Sequence, residues 1–146
     1  MWKELIKLLY PEAGFSEGVS GSTLATAERN MNVHIPGDLQ ELLRQTNGVL
    51  DRWEVDVIWP IDRIVRDNST FRTFPDFKEL YMPFDCLLFF GDNGGGDQFA
   101  YVVEPDRHDI FVWDHENDSR QWVAGSLEEY LRRRLTSSGD EWYRSD

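Results

Sequence analysis

The sequence predicts an α+β protein, and three observations carry that expectation. The first third places apolar residues at helical spacing, two strand-like apolar runs flank a glycine-rich loop, and a capped amphipathic segment closes the chain. Trp2, Leu5, Ile6 and Leu9 share one helical face before Pro11 and Gly14 stop the element. Ser22 is the expected cap of a second helix bearing Leu24, Ala27 and Met31, ended by the VHIP segment. Pro36 and Asp38 open a third, with Asp38 and Glu41 spaced as a capping box, Leu39, Leu42 and Leu43 as the apolar stripe, and Asn47-Gly48 as the stop. From Trp53 to Trp59 the pattern alternates, which predicts a half-buried strand with Trp53, Val55, Val57 and Trp59 on one face. Phe71, Phe74, Phe77, Leu80 and Tyr81 then form a spaced aromatic series expected in the core. A hairpin follows, a Pro105-Asp106 turn leads to a strand over 109–113, and Ser126 with Glu129 caps a last helix carrying Leu127, Tyr130, Leu131 and Leu135. Arg132, Arg133 and Arg134 fall in its final turn, where cations complement the helix dipole. The segment beyond Leu135 is polar and expected to fray, with Trp142 and Tyr143 able to dock.

The hairpin CLLFFGDNGGGDQFAYVV, residues 86–103, is the most informative stretch. Gly94, Gly95 and Gly96 permit positive φ or close backbone approach, and Asp92 and Asp97 place carboxylates beside them. A phosphate cradle would need a helix N-terminus and a basic side chain after the glycines, whereas a strand follows here. An EF-hand count begun at Asp92 puts Gly94 and Gly96 at ligand positions and Val103 at the closing one. Turn chemistry alone accounts for glycine and aspartate, so a binding role and a plain hairpin turn stay equally open at this point.

Length and composition fit one domain spanning residues 1–146, with 40% hydrophobic and 14% aromatic residues against any disordered reading. No apolar run reaches transmembrane length, and the lone Cys86 cannot form an internal disulfide, so a soluble cytoplasmic protein that binds no membrane is expected. The formal charge is −12, and between Asp76 and Asp118 eleven carboxylates face two basic side chains. That sign excludes nucleic acid as a partner and favours a basic protein, steered by the complementary field.

Catalytic templates each lack a member. Cys86 opens an apolar run and reads as a buried small hydrophobe rather than a nucleophile. His115-Glu116 starts like a zinc-protease helix, but position 119 is Ser. Asp114, His115 and Glu116 sit at a strand end, where alternation keeps all three from converging, although His115 can pair with a carboxylate. No GxSxG elbow or dinucleotide fingerprint occurs. No catalytic residue, cofactor or metal ligand is nominated, and a carboxylate hydrolase is the minority reading.

Three segments in order carry a family likeness: IPGDLQELLRQTNGV (residues 35–49), the glycine hairpin, and IFVWDHENDSRQWVAGSLEEYL (residues 110–131). Together they resemble the SUKH superfamily of Smi/Knr-like domains over about residues 22–135. The resemblance implies helices packed about a largely antiparallel sheet, no catalytic activity, and in bacteria an immunity role in which the domain neutralises a cognate toxin, often a nuclease. A regulatory interaction module or small-ligand sensor is the alternative. The nominated partner-binding residues are Asp92, Asp97, Asp114, Glu116 and Asp118 as charge donors, with Trp53 or Trp59 as the aromatic anchor and core packing expected for at least one of the two.

Overall fold

The structure, a computed structural model, describes residues 1–105, 107–137 and 142–143. Among these lie six helices and two antiparallel sheets, the α+β architecture expected. Helix α1 (Trp2–Leu9) buries Trp2 and Ile6. Helix α2 (Gly21–Met31) is capped by Ser20, two residues before the expected Ser22, because the Ser20 hydroxyl is the one placed to accept from the Thr23 amide. Helix α3 (Gly37–Gln45) starts after Pro36 with no side-chain cap. Asp38 does not form the expected box with Glu41, since its carboxylate accepts from the next amide, Leu39, at 2.9 Å.

Strands β1 (Gly14–Phe15), β2 (Val49–Leu50) and β3 (Asp56–Ile58) form the smaller sheet in that order. Helices α4 (Ile61–Thr73) and α5 (Pro75–Leu80) follow. Strands β4 (Leu87–Asp92), β5 (Gln98–Val102), β6 (Ile110–Asp114) and β7 (Ser119–Ala124) make a four-stranded meander, and α6 (Leu127–Thr136) closes the fold. The Ser126 hydroxyl accepts from the Glu129 amide at 3.1 Å, as its cap predicts. The Glu129 carboxylate accepts from the Gly125 amide, so the reciprocal half of the box is shifted by one residue.

The two sheets meet along a seam. The Trp59 amide donates to the Phe90 carbonyl at 2.7 Å, and the buried Tyr130 hydroxyl donates to the Val57 carbonyl at 2.8 Å. A Cβ at Gly91 would lie 2.4 Å from that same Val57 oxygen, so the close approach of β3 to β4 requires glycine there. Asn68 of α4, fully buried, both donates to and accepts from the Phe89 main chain and so completes the hydrogen bonding of β4. Below the seam Phe71, Phe84, Phe89 and Trp113 pack as tilted and edge-on rings with centroids 4.7–6.0 Å apart.

Several expectations need correction. The strand expected over 53–59 is confined to Asp56–Ile58, because Asp51 organises the preceding residues as a turn, and Val57, Ile58 and Trp59 are all buried rather than alternating. In the aromatic series Phe71 is buried, but Phe74 and Leu80 are exposed at the ends of α4 and α5. Cys86 is half-buried rather than buried, since it precedes β4 instead of lying in it. Arg134 does more than complement a dipole: it bonds the Asp92 carbonyl and the Tyr130 hydroxyl. Strands β1, β2 and β7 are not legible from residue patterns, the first two being two residues long and the third starting with three polar residues and showing no alternation. Asp106 of the expected Pro105-Asp106 turn, and residues 138–141 and 144–146 of the expected fraying tail, lie outside the described residues. No helix among the described residues is long and apolar enough to cross a membrane.

Candidate functional site

One end of the molecule gathers the loops that the sequence singled out. The turn at 51–55 is built on Asp51, whose carboxylate accepts from the amides of Trp53 (2.8 Å) and Val55 (3.1 Å), while the Asp51 and Val55 main chains bond each other. The Arg52 amide donates to the Tyr10 hydroxyl, tying the turn to the segment after α1. Glu54 takes φ +63°, a conformation uncommon for glutamate. Trp53 at the tip is 69% exposed, with the Arg52 guanidinium 4.4 Å from its ring centroid.

The glycine loop packs directly against this turn. Gly94 has φ +82°, and a Cβ there would lie 3.0 Å from a Val55 methyl; Gly96 has φ +106°, and a Cβ there would fall 2.5 Å from the His115 imidazole. The Asn93 side-chain oxygen accepts from the amides of Gly95 and Asp97 and holds the loop shape. The glycines therefore admit a neighbouring turn on one side and an imidazole on the other.

Beneath the loop lie Asp97, 4% exposed, and Asp114, 8% exposed. Asp97 accepts from the Tyr143 hydroxyl at 2.5 Å and stands 3.4 Å from His115 Nδ1, the carboxylate pairing anticipated for that histidine. Asp114 accepts from the Glu116 amide at 3.0 Å. One ligand atom from each of Asp97, Asp114 and His115 lies within 4.8 Å of the others. Strand alternation does not separate Asp114 from His115, because His115 already belongs to the turn after β6; Glu116, the next residue, faces solvent. Tyr143 and Trp142 fold back on β5, with Trp142 stacked on Phe99 at 5.6 Å.

The nominated residues thus divide. Trp53 and Glu116 face solvent at the loop end. Asp92 and Asp118 are half-buried and turned inward. Asp92 accepts from Arg63 at 2.9 Å, and Arg63 also bonds Asp56 (2.8 Å) and Asp67 (3.1 Å) while lying over Trp59. Burial raises the Asp56 pKa, with the Asp92 charge adding to the rise and Arg63 opposing it. Asp118 accepts from the Trp113 indole (2.7 Å), the Met82 amide (2.9 Å) and Arg120 (3.1 Å). Its burial works toward a higher pKa, but these donors outweigh it and hold the carboxyl below its ordinary range. Asp97, Asp114 and Trp59 are buried and present no surface to a partner in this conformation. Asp97 and Asp114, nominated as charge donors to a partner, are buried instead beside Tyr143 and His115, while Trp59, beneath Arg63, takes the core packing expected for at least one of the two tryptophans.

Asp51, Asn93 and Tyr143 are central to this end and Arg63 to the adjoining seam, and none of the four was nominated. Asn93 carried a signal, as an Asn-Gly pair at a hairpin tip, and Arg63 carried only its i,i+4 spacing to Asp67, since its other partners, Asp56 and Asp92, lie on β3 and β4. No curated protein matches the chain. The family described as SMI1-KNR4 cell-wall (SUKH_6) matches residues 22–131, three-quarters of the chain, and the chain belongs to this SUKH family.

Proposed function

We propose that this protein is a non-catalytic binding domain of the immunity type, which neutralises a cognate toxin in the cytoplasm by direct contact through its loop end. Family membership is the observation that carries the reading: SUKH domains are generally non-catalytic and support protein-interaction or immunity-type roles. The geometry is compatible. Two loops and the β6–β7 turn converge on one end, where Trp53, Glu54 and Glu116 face solvent, and the chain carries a formal charge of −12. Outward carboxylates on an acidic protein steer a basic partner into encounter. Asp92, Asp97, Asp114 and Asp118 then support the loops that present this surface rather than touching the partner.

The test is co-purification and calorimetry with the protein encoded by the adjoining open reading frame, beside growth rescue on co-expression. A stoichiometric complex that suppresses toxicity is expected. A toxic neighbour that neither binds nor is neutralised overturns the reading.

A small-ligand-sensing role draws on one separate observation. An open groove of about 480 Å³ lies between α2 and α4, with Thr26 and Asn30 on one wall, Arg66 on the other and Ile61 and Val65 lining it. That volume is within the range of small-molecule sites.

A further inference from the structure

We infer that the 51–54 turn is the anchoring point of the partner contact, and that the partner is a basic protein whose apolar slot receives the Trp53 indole inside a positively charged rim. This rests on the binding reading above and makes it specific.

The indole itself is the first argument. Trp53 is the most exposed aromatic side chain among the described residues, at 69%, whereas Trp2, Trp59 and Trp113 lie in the core. Tryptophan is the residue type most enriched among side chains that dominate binding energy. Its presentation is the second. The Asp51 carboxylate takes two amides of the turn, Tyr10 takes a third, and Val55 wedges the turn against Gly94. A side chain held on such a frame loses little freedom on binding, so more of its buried area appears as affinity. Among the four non-glycine residues at positive φ, Glu54 is the one that is neither Asn, Asp nor His. The backbone accepts this strained geometry at the residue that follows the indole.

Charge decides the partner. The group on the ring is the Arg52 guanidinium, paired at 3.6 Å with Glu12, and the next residue, Glu54, is exposed. Glu116 adds a further carboxylate at the same end, reached through the His115–Gly96 and Gly94–Val55 contacts. With the Arg52 charge offset by Glu12, exposed Glu54 and Glu116 leave this end net acidic around an apolar plate, which is complementary to a slot rimmed by Lys and Arg, and the net charge of −12 draws such a partner in at long range.

The experiment uses the full chain and the purified product of the adjoining open reading frame, with binding and association rates measured at low and high salt. Trp53→Ala is expected to weaken the dissociation constant by at least about 30-fold, almost all of it in the off-rate, with an unchanged melting temperature. Glu54→Gln is expected to slow association about 3-fold or more at low salt and to match wild type at high salt. A wild-type complex that Trp53→Ala leaves within about 3-fold overturns the anchor while the immunity reading stands. Loss of affinity in Trp53→Ala without any salt-dependent effect of Glu54→Gln overturns the basic rim. Absence of a wild-type complex overturns this inference together with the reading it rests on.

Discussion

The seam between the two sheets and the loop end are built from the same residue types and use them in opposite ways. At the seam Asp56, Asp67 and Asp92 converge on Arg63, which lies on the fully buried Trp59. At the loop end an arginine again lies on a tryptophan, Arg52 on Trp53, but the indole is exposed and the neighbouring Glu54 faces water. One motif closes the core and the other is left open. The difference is the number of carboxylates the arginine serves: three hydrogen-bonded partners fix Arg63, and a single 3.6 Å contact to Glu12 holds Arg52.

Removing the arginine is the sharpest way to test that contrast. Arg63→Ala strips three half-buried carboxylates of their counter-charge and uncovers Trp59, and a loss of about 3 kcal/mol is expected. Arg52→Ala should change stability by less than about 1 kcal/mol, the ordinary worth of an exposed pair. Chemical denaturation of the two variants measures both. Equal losses would erase the distinction between the two regions.

The legible part of the fold was its local part. Helical spacing located α1, α3 and α6, and the Ser126 cap and the glycine hairpin were read from residues a few positions apart. What stayed hidden depends on partners distant in the chain. The seam joins Trp59 to Phe90, Tyr130 to Val57 and Arg63 to Asp92, separations that no periodicity encodes. The acidic stretch from 76 to 118 was visible, but its division into inward and outward carboxylates was not, because Asp97 and Asp114 are buried by contacts that only the fold assembles. Trp53 and Trp59 are equals on one face of the alternating pattern, yet among the described residues they are the most exposed and one of the least exposed aromatics.

A smaller effect distinguishes shape from charge at the loop end. Gly96→Ala places a methyl against the His115 imidazole and forces an L-residue to φ +106°, for an expected cost of about 2 kcal/mol. Pairing it with His115→Ala removes the steric part and leaves the backbone part, so the double variant should be more stable than the sum of the singles predicts. Strict additivity would show that the imidazole does not pack on the loop.

A further modest effect concerns Asp118, a carboxylate nominated as an outward charge that is instead turned inward onto three donors. Its folded-state pKa lies below the unfolded value, because the Met82 amide, the Trp113 indole and Arg120 outweigh the cost of its burial. The unfolded chain therefore binds the proton more tightly than the folded one. Its stabilisation is fully present above the ordinary aspartate range and is lost as pH falls through the lowered folded value. Asp118→Asn keeps the shape but weakens three charge-assisted bonds, for an expected loss of about 1 kcal/mol near neutral pH. Thermal unfolding of wild type and variant from about pH 7 down to about pH 3 should show that gap shrinking as acid is added. A gap that stays constant would mean that the Asp118 charge plays no part in holding the β6–β7 turn to the Met82 segment, and would return this residue to the outward-facing class.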